Sequence, residues 1–369
     1  MPDATAPMIE HDAGLAAFCA RVARHAWFAL DTEFLREKTY YPSLCLVQIA
    51  TPDEIVCVDA LAIRDWAPFL EVLRAPAITK VMHAGRQDQE MFFHIAKTVA
   101  APVFDTQIAA ALTGHDEQIG YAGLVEKLLQ VHLDKAHTRT DWSRRPLSPE
   151  QILYAEDDVR YLRELYPRLQ SRLAELGRQE WMREDCARIA DAELYRVDPA
   201  DAHRRVKGGG TLSAASNGAL RALAAWREQE AMRRDLPRAW VLKDETLIEI
   251  ARRRPETIAA LADITGMSEK AIGRWGDAIV AMIASAPAGE AGNARPPTEA
   301  ERARQKRLSA ALDQIAATLQ IGRTALATRR DLEALAAGNE DIAAMRGWRR
   351  AVVGEPLRAT LSNDSDSRP

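Results

Sequence analysis

Asp31 and Glu33 stand two residues apart in Ala29-Leu30-Asp31-Thr32-Glu33-Phe34, directly after the apolar run Ala26-Trp27-Phe28. The run reads as a buried strand, and the alternation of a strand turns both carboxylates to one face. Like charges so close disfavour joint ionisation unless a cation neutralises them. A hard divalent ion such as Mg²⁺ or Mn²⁺ takes carboxylate oxygens for that purpose. The tripeptide alone is common and fits a solvated strand end as well. A further acid, Asp88, lies in His83-Ala84-Gly85-Arg86-Gln87-Asp88, in the first turn of a predicted helix that follows a predicted strand. From there it either returns toward the sheet end carrying Asp31 or serves as a helix-start acid favoured by the macrodipole. A third group is Tyr154-Ala155-Glu156-Asp157-Asp158. Tyr154 and Asp158, four apart, share one helix face. Asp157 is turned about 100° away and Glu156 further, so both are expected in solvent. The phenol and the carboxylate are either a metal ligand beside a water-orienting hydroxyl or an ordinary helix contact.

Other polar residues have weaker claims. His83 either packs near its strand end or contacts substrate phosphate. The loop His137-Thr138-Arg139-Thr140-Asp141-Trp142-Ser143-Arg144-Arg145 is basic. Arg139 and Arg144 are candidate phosphate contacts there, and Trp142 a candidate stacking platform for bases. The alternative is an exposed loop anchored by a buried Trp142. Arg252-Arg253-Arg254 is either a solvated helix end or an RNA contact.

The elements that must position these residues follow from periodicity and turn chemistry. Residues 8–25 read as a helix, followed by the strand that ends at Asp31–Glu33. Residues 44–50 and 54–59 read as strands joined by short turns, which predicts an antiparallel meander. A helix over 66–74, a strand over 78–83, a helix from Gly85 to about Lys97 and a strand over 103–105 come next. Helices over 106–112, 121–130 and 149–172 complete a mixed α/β sheet covered by helices. Val206-Lys207-Gly208-Gly209-Gly210-Thr211 marks a boundary, beyond which only helices are predicted. The expected organisation is an α/β domain over 1–203 and a helical domain over 204–289. A linker over 290–297, a second helical domain over 298–361 and a disordered tail over 362–369 follow.

With 369 residues and 47% hydrophobic content the chain can build about two or three cores. No apolar run reaches membrane-spanning length, and residues 1–7 lack a secretory n-region and h-region. Cys19, Cys45, Cys57 and Cys186 show no metal or redox spacing and read as reduced, buried thiols of a cytoplasmic protein. The net charge of −4 hides an asymmetry: residues 1–203 carry 22 Lys+Arg against 32 Asp+Glu, and residues 204–289 carry 14 against 10. An acidic front half suits a metal site but repels nucleic acid; the basic C-terminal part either supplies the missing attraction or is scattered helix-surface charge. Residues 1–203 alone would then carry the chemistry.

Asp31-x-Glu33, Asp88 in His-Ala-Gly-x-x-Asp and Tyr154-x-x-x-Asp158 resemble, in order and spacing, the three motifs of DEDD-superfamily 3′→5′ exonucleases in the Tyr-containing branch. Leu30-Asp31-Thr32-Glu33-Phe34, Phe104-Asp105-Thr106-Gln107 and the Val159-x-Tyr161-Leu162 continuation are most similar to the ribonuclease D family. Residues 219–284, with Asp235-Leu236-Pro237-Arg238-Ala239-Trp240-Val241, resemble the helicase-and-RNase-D C-terminal (HRDC) module, and the last bundle a divergent second copy. The resemblance implies a ribonuclease-H-like fold and two Mg²⁺ or Mn²⁺ ions held by Asp31, Glu33, Asp88 and Asp158. It also implies Tyr154 as the group that orients the attacking water, and release of nucleoside 5′-monophosphates from RNA, with tRNA 3′-end maturation as the setting. A monomer is expected, and no P-loop suggests use of ATP. A DNA exonuclease and an inactive nucleic-acid binder are the competing readings, since the carboxylates do not distinguish sugars and contacts to a 2′-OH would.

Overall fold

The computed structural model describes residues 6–133, 140–209, 212–289 and 296–362. Its first elements are β1 (Met8–Ile9), α1 (Asp12–Val22), β2 (Trp27–Leu35), β3 (Ser43–Ala50), β4 (Ile55–Asp59), α2 (Ala67–Arg74), β5 (Thr79–Met82), α3 (Arg86–Ala96) and β6 (Val103–Asp105). They form one mixed sheet of order β1-β4-β3-β2-β5-β6. The meander is antiparallel, as its short turns require, and β5 and β6 add in parallel through crossover helices. Residues 8 and 9, expected in the first helix, instead pair in parallel with β4. Two residues are too few to show strand alternation, so only the edge they complete reveals them.

β2 is central and amphipathic across its two covered faces. Phe28 and Leu30 enter a core with Leu15 and Phe18 of α1 and Phe69 of α2. Trp27 and Ala29 face the opposite core, built from the later helices. Asp31 and Glu33 continue that second set, so the apolar alternation of β2 itself aims both carboxylates at the later helices. These are α4 (Thr106–Leu112), α5 (Tyr121–Leu129), α6 (Pro149–Arg160), α7 (Leu162–Glu175) and α8 (Gln179–Ile189). The helix expected over 149–172 is divided at Tyr161 into α6 and α7. α6 starts where its sequence says it must: Ser148 caps it in a reciprocal box with Gln151, and Pro149 occupies the first turn.

The remaining helices are α9 (Ala214–Arg234), α10 (Arg238–Val241), α11 (Asp244–Arg253), α12 (Ile258–Ala262), α13 (Glu269–Ser285), α14 (Glu299–Leu319), α15 (Arg323–Leu326), α16 (Arg329–Ala336), α17 (Gly347–Arg349) and α18 (Glu355–Ser362). Contacts divide the chain into two units, 1–35 with 43–195 and 297–369, and 36–42 with 196–296. In the second unit Leu220, Leu247, Ile250, Leu261 and Ile279 form the core. The β2–β3 connection belongs there: Tyr40 and Tyr41 donate backbone N–H groups to Asp235, each at 3.0 Å, and the Tyr40 hydroxyl donates to Glu228.

In the first unit the last helices fold back on the exonuclease core instead of standing apart. Leu165 and Leu169 of α7 and Met182 of α8 share one cluster with Leu308 and Leu312 of α14 and Leu332 of α16. Trp181 stacks on Trp348 at 4.3 Å with 7° between planes. Arg349 forks onto Asp185 at 2.5 and 2.9 Å, and Arg178 donates to Leu112 O and Leu319 O, each at 2.6 Å. α8, on which no expectation was placed, packs both on α4 and β6 and on α17 from far along the chain. The linker expected over 290–297 falls outside the described residues at 290–295. The tail expected from 362 does so from 363, with Ser362 still in α18.

Candidate active site

Three carboxylates converge where β2 meets α6. Asp31, Glu33 and Asp158 each offer one oxygen, and these oxygens lie within 4.8 Å of one another. The Tyr154 side chain hydrogen-bonds the Asp158 carboxylate, as two groups one helical turn apart can. Asp88, in the first turn of α3, is buried and stands outside this group; the Thr32 hydroxyl donates to its Oδ1. Its turn is fastened by Asp105, which accepts from Ala84 N at 3.1 Å and Gly85 N at 2.9 Å while capping α4.

The electrostatics are those of an unneutralised site. Burial, then the charges of Asp88, Asp158 and Glu33, hold Asp31 well above the usual carboxylate range. Burial, then Asp158 and Asp88, push Glu33 up to about 9. Burial and Asp157 raise Asp158 to about 7 against the Tyr154 hydrogen bond, and burial raises Asp88 to about 6 against that of Thr32. A divalent cation resolves this repulsion, and the donor set, three converging carboxylate oxygens, is of the kind that Mg²⁺ or Mn²⁺ prefers.

Residues 7–174 match the 3′-5′ exonuclease family and residues 216–283 the HRDC domain family. Ribonuclease D of Gluconacetobacter diazotrophicus is 41% identical over 92% of this chain and 88% of its own length. Ribonuclease D of Granulibacter bethesdensis is 40% identical over 97% and 93%. The chain belongs to the ribonuclease D family. The crystal structure of Escherichia coli RNase D, an exoribonuclease involved in structured RNA processing, superposes with a TM-score of 0.87 at 31% identity, covering 98% of this chain and 99% of that one. The chain is accordingly a 3′-5′ exoribonuclease with an α/β exonuclease domain followed by helical modules. The exonuclease fold works with divalent metal, and the acidic cluster is present for it.

Several residues of this ribonuclease D family chain stand elsewhere than their sequence suggests. Glu156 is buried, not solvated: it pairs with Arg160 at 2.7 Å and accepts from Ala6 N. Asp157 is half-buried and pairs with Arg160 at 3.0 Å. One arginine, i+4 and i+3 from the two acids, neutralises both and leaves Asp158 as the acid of this helix in the cluster. His83 is not available to phosphate. Its Nδ1 lies 2.9 Å from Thr106 Oγ1 and its Nε2 3.1 Å from Ile119 O, and burial holds its pKa down. Trp142 is 2% exposed and cannot stack on bases. Arg144 is exposed and 3.7 Å from Asp141, and Arg139 lies outside the described residues. Two residues were missed. Tyr121 donates its hydroxyl to Asp157 O at 2.7 Å beneath the cluster, and Arg145 forks onto Asp59. The Arg-Pro pair at 145–146 was a visible signal for an anchored loop.

The raised carboxylates predict a pH dependence. The folded state holds protons that an unfolded carboxylate near pH 4 has already lost. The stability this contributes is therefore complete below about pH 4 and falls as pH rises through about 6, 7 and 9. Protons and metal compete for the same oxygens. The rise in melting temperature on adding Mg²⁺ should therefore grow steadily from pH 6 to pH 9. Buried Lys80, lowered to about 7 by desolvation, stabilises in the opposite sense, so the metal-induced difference is the readout rather than the absolute value. A metal-induced rise that is flat across this range would contradict the competition.

Proposed function

We propose that Asp31, Glu33 and Asp158, with Asp88, hold two Mg²⁺ or Mn²⁺ ions and that Tyr154 orients the water that cleaves the terminal phosphodiester of RNA. The convergence of the three carboxylates beside a hydrogen-bonded tyrosine carries this reading. The charge of Asp88 acts on both Asp31 and Glu33, which supports its membership despite its separate hydrogen bond to Thr32. When bound, such ions supply Lewis-acid activation of water and charge neutralisation at phosphorus. Tyr154, hydrogen-bonded to Asp158, holds the water in line with the departing 3′-oxygen of the penultimate nucleotide. The water oxygen bonds to phosphorus, the P–O3′ bond breaks, the proton the water gives up is made good on the departing 3′-oxygen, and a nucleoside 5′-monophosphate leaves a shortened RNA ending in a 3′-hydroxyl. Precursor tRNA is the substrate we infer, supported by the membership of the family and by the HRDC match.

The same reading takes the chain as a monomer and as cytoplasmic, the latter supported by four free, buried cysteines. No helix among the described residues is long and apolar enough to cross a membrane. Residues 298–361 are read as a second, divergent HRDC copy. Recurrence supports this: α9 and α14 are each 21 residues long and end at left-handed Asp235 and Gln320. Each is followed by a four-residue helix with an extended cap at Leu242 or Ala327.

Degradation of matched 3′- and 5′-labelled RNA and DNA strands tests the reading directly. Loss of 3′ label from RNA as mononucleotide is expected, and preference for DNA would defeat the assignment. Tyr154→Phe should lower kcat by roughly 10²–10⁴-fold, the scale of a positioned acid–base group. Its Mg²⁺ affinity by calorimetry should barely change, and a collapse of metal binding would show that the hydroxyl serves the ion and not the water.

A further inference from the structure

The hydroxyl of Tyr154 is held at its tip by Asp158, but a tyrosine turns about two torsions and one hydrogen bond does not fix its ring. The ring is backed by Trp142, with centroids 6.1 Å apart and planes at 36°. Trp142 is itself locked in an apolar cluster with Cys45, Leu46, Leu147 and Ala155, against which Tyr154 packs. The described residues 140–147 around it form no helix or strand of their own to hold it. Arg145 does that work. Its Nε and Nη2 fork onto Asp59 at the end of β4, both at 2.6 Å, and its Nη2 donates to Cys45 O at 2.8 Å. Its Nη1 donates to Trp142 O and Arg144 O, each at 2.8 Å. Gln151 of the α6 capping box ties the same loop through Thr140 Oγ1 at 3.1 Å. The indole is thus referenced to the sheet that carries Asp31 and Glu33, while Tyr154 and Asp158 ride on α6.

We propose that Trp142, clamped through Arg145 to Asp59, is a positioning residue for Tyr154 and sets where its hydroxyl meets the attacking water. This rests on the reading of Tyr154 as the water-orienting group. Trp142 is too buried to touch substrate, and the site residue its ring meets is the tyrosine. A misplacement of about 1 Å in a reacting group costs on the order of 10²-fold in rate.

The test is a double-mutant cycle on the full chain, with a short oligoribonucleotide and saturating Mg²⁺. Trp142→Ala, Trp142→Phe and Arg145→Lys are each made alone and together with Tyr154→Phe. Trp142→Ala should lower kcat by about 10–10²-fold with KM nearly unchanged, and Trp142→Phe should restore most of it. In the Tyr154→Phe background neither change should cost anything further, because the group they position is gone. Circular dichroism and melting check that each variant folds. If Trp142→Ala does not, Arg145→Lys, which keeps the indole and the charge but loses the fork, takes its place in the cycle. Equal losses in both backgrounds would overturn the proposal and leave the role of Tyr154 standing. An undiminished kcat in Tyr154→Phe alone would overturn that role and the proposal with it.

Discussion

Asp31→Asn is expected to reduce kcat by about 10³-fold or more at saturating Mg²⁺ while RNA affinity and the circular dichroism spectrum stay close to wild type. A metal-held carboxylate contributes several kcal/mol of transition-state charge stabilisation, and about 1.4 kcal/mol is a factor of ten. Asp31 is the acid on which Asp88, Asp158 and Glu33 all press. Its neutral isostere keeps the shape and removes one of the repelling charges. The metal-free variant should therefore melt at or above the wild-type temperature, whereas the rise produced by Mg²⁺ should shrink. The two readouts move in opposite directions only if Asp31 is a charged ligand in a crowded acidic site. Near-normal turnover, or a metal-free protein that melts well below wild type, would remove Asp31 from that role.

Deleting residues 297–369 is expected to prevent cooperative folding of the exonuclease part. This reverses what charge distribution alone suggested, that residues 1–203 could carry the chemistry by themselves. Leu165, Leu169 and Met182 share their core with Leu308, Leu312, Leu326 and Leu332, and Trp181 stacks on Trp348. Each large apolar side chain stripped of its cover costs about 1.5–3 kcal/mol, against a total stability of about 5–15 kcal/mol. A point substitution probes the same joint without truncation. Gly347 has φ +51°, and a Cβ there would meet Glu184 Oε1 at 1.4 Å, where that carboxylate accepts from Trp348 N at 2.8 Å. Gly347→Ala should lower the melting temperature markedly. A truncated protein that melts cooperatively within about 4 °C of the full chain, the shift expected from about 1 kcal/mol, would show that the bundle is dispensable to the core.

What was legible in the sequence was what a local period encodes. The alternation of Phe28, Leu30 and Thr32 against Ala29, Asp31 and Glu33 reports the two faces of β2, and the four-residue step from Tyr154 to Asp158 reports one face of α6. Ser148 and Gln151 mark the start of that helix, and the short turns among residues 44–59 predict the meander that the register bears out. These features depend on neighbours within a turn or two, so no distant contact was needed to read them.

Other features depend on which surface arrives from elsewhere. Trp142 reads equally well as a stacking platform or as an anchor until β3, β4 and α6 close over it. Glu156 looks solvated by helical phase and is buried, with Arg160 and Ala6 as its partners. Asp88 reads as a neighbour of Asp31, and its charge does press on Asp31, but its hydrogen bond from Thr32, the adjacent position of the same strand, is not legible in the sequence. The docking of 297–362 is invisible locally, since nothing within α8 shows that Trp181 and Asp185 await Trp348 and Arg349 from the far end of the chain. By itself, then, the sequence determined which residues can do chemistry and which face of its own element each occupies. Only the tertiary structure decided which of them meet, because desolvation and pairing are properties of the surfaces brought together and not of the period within one segment.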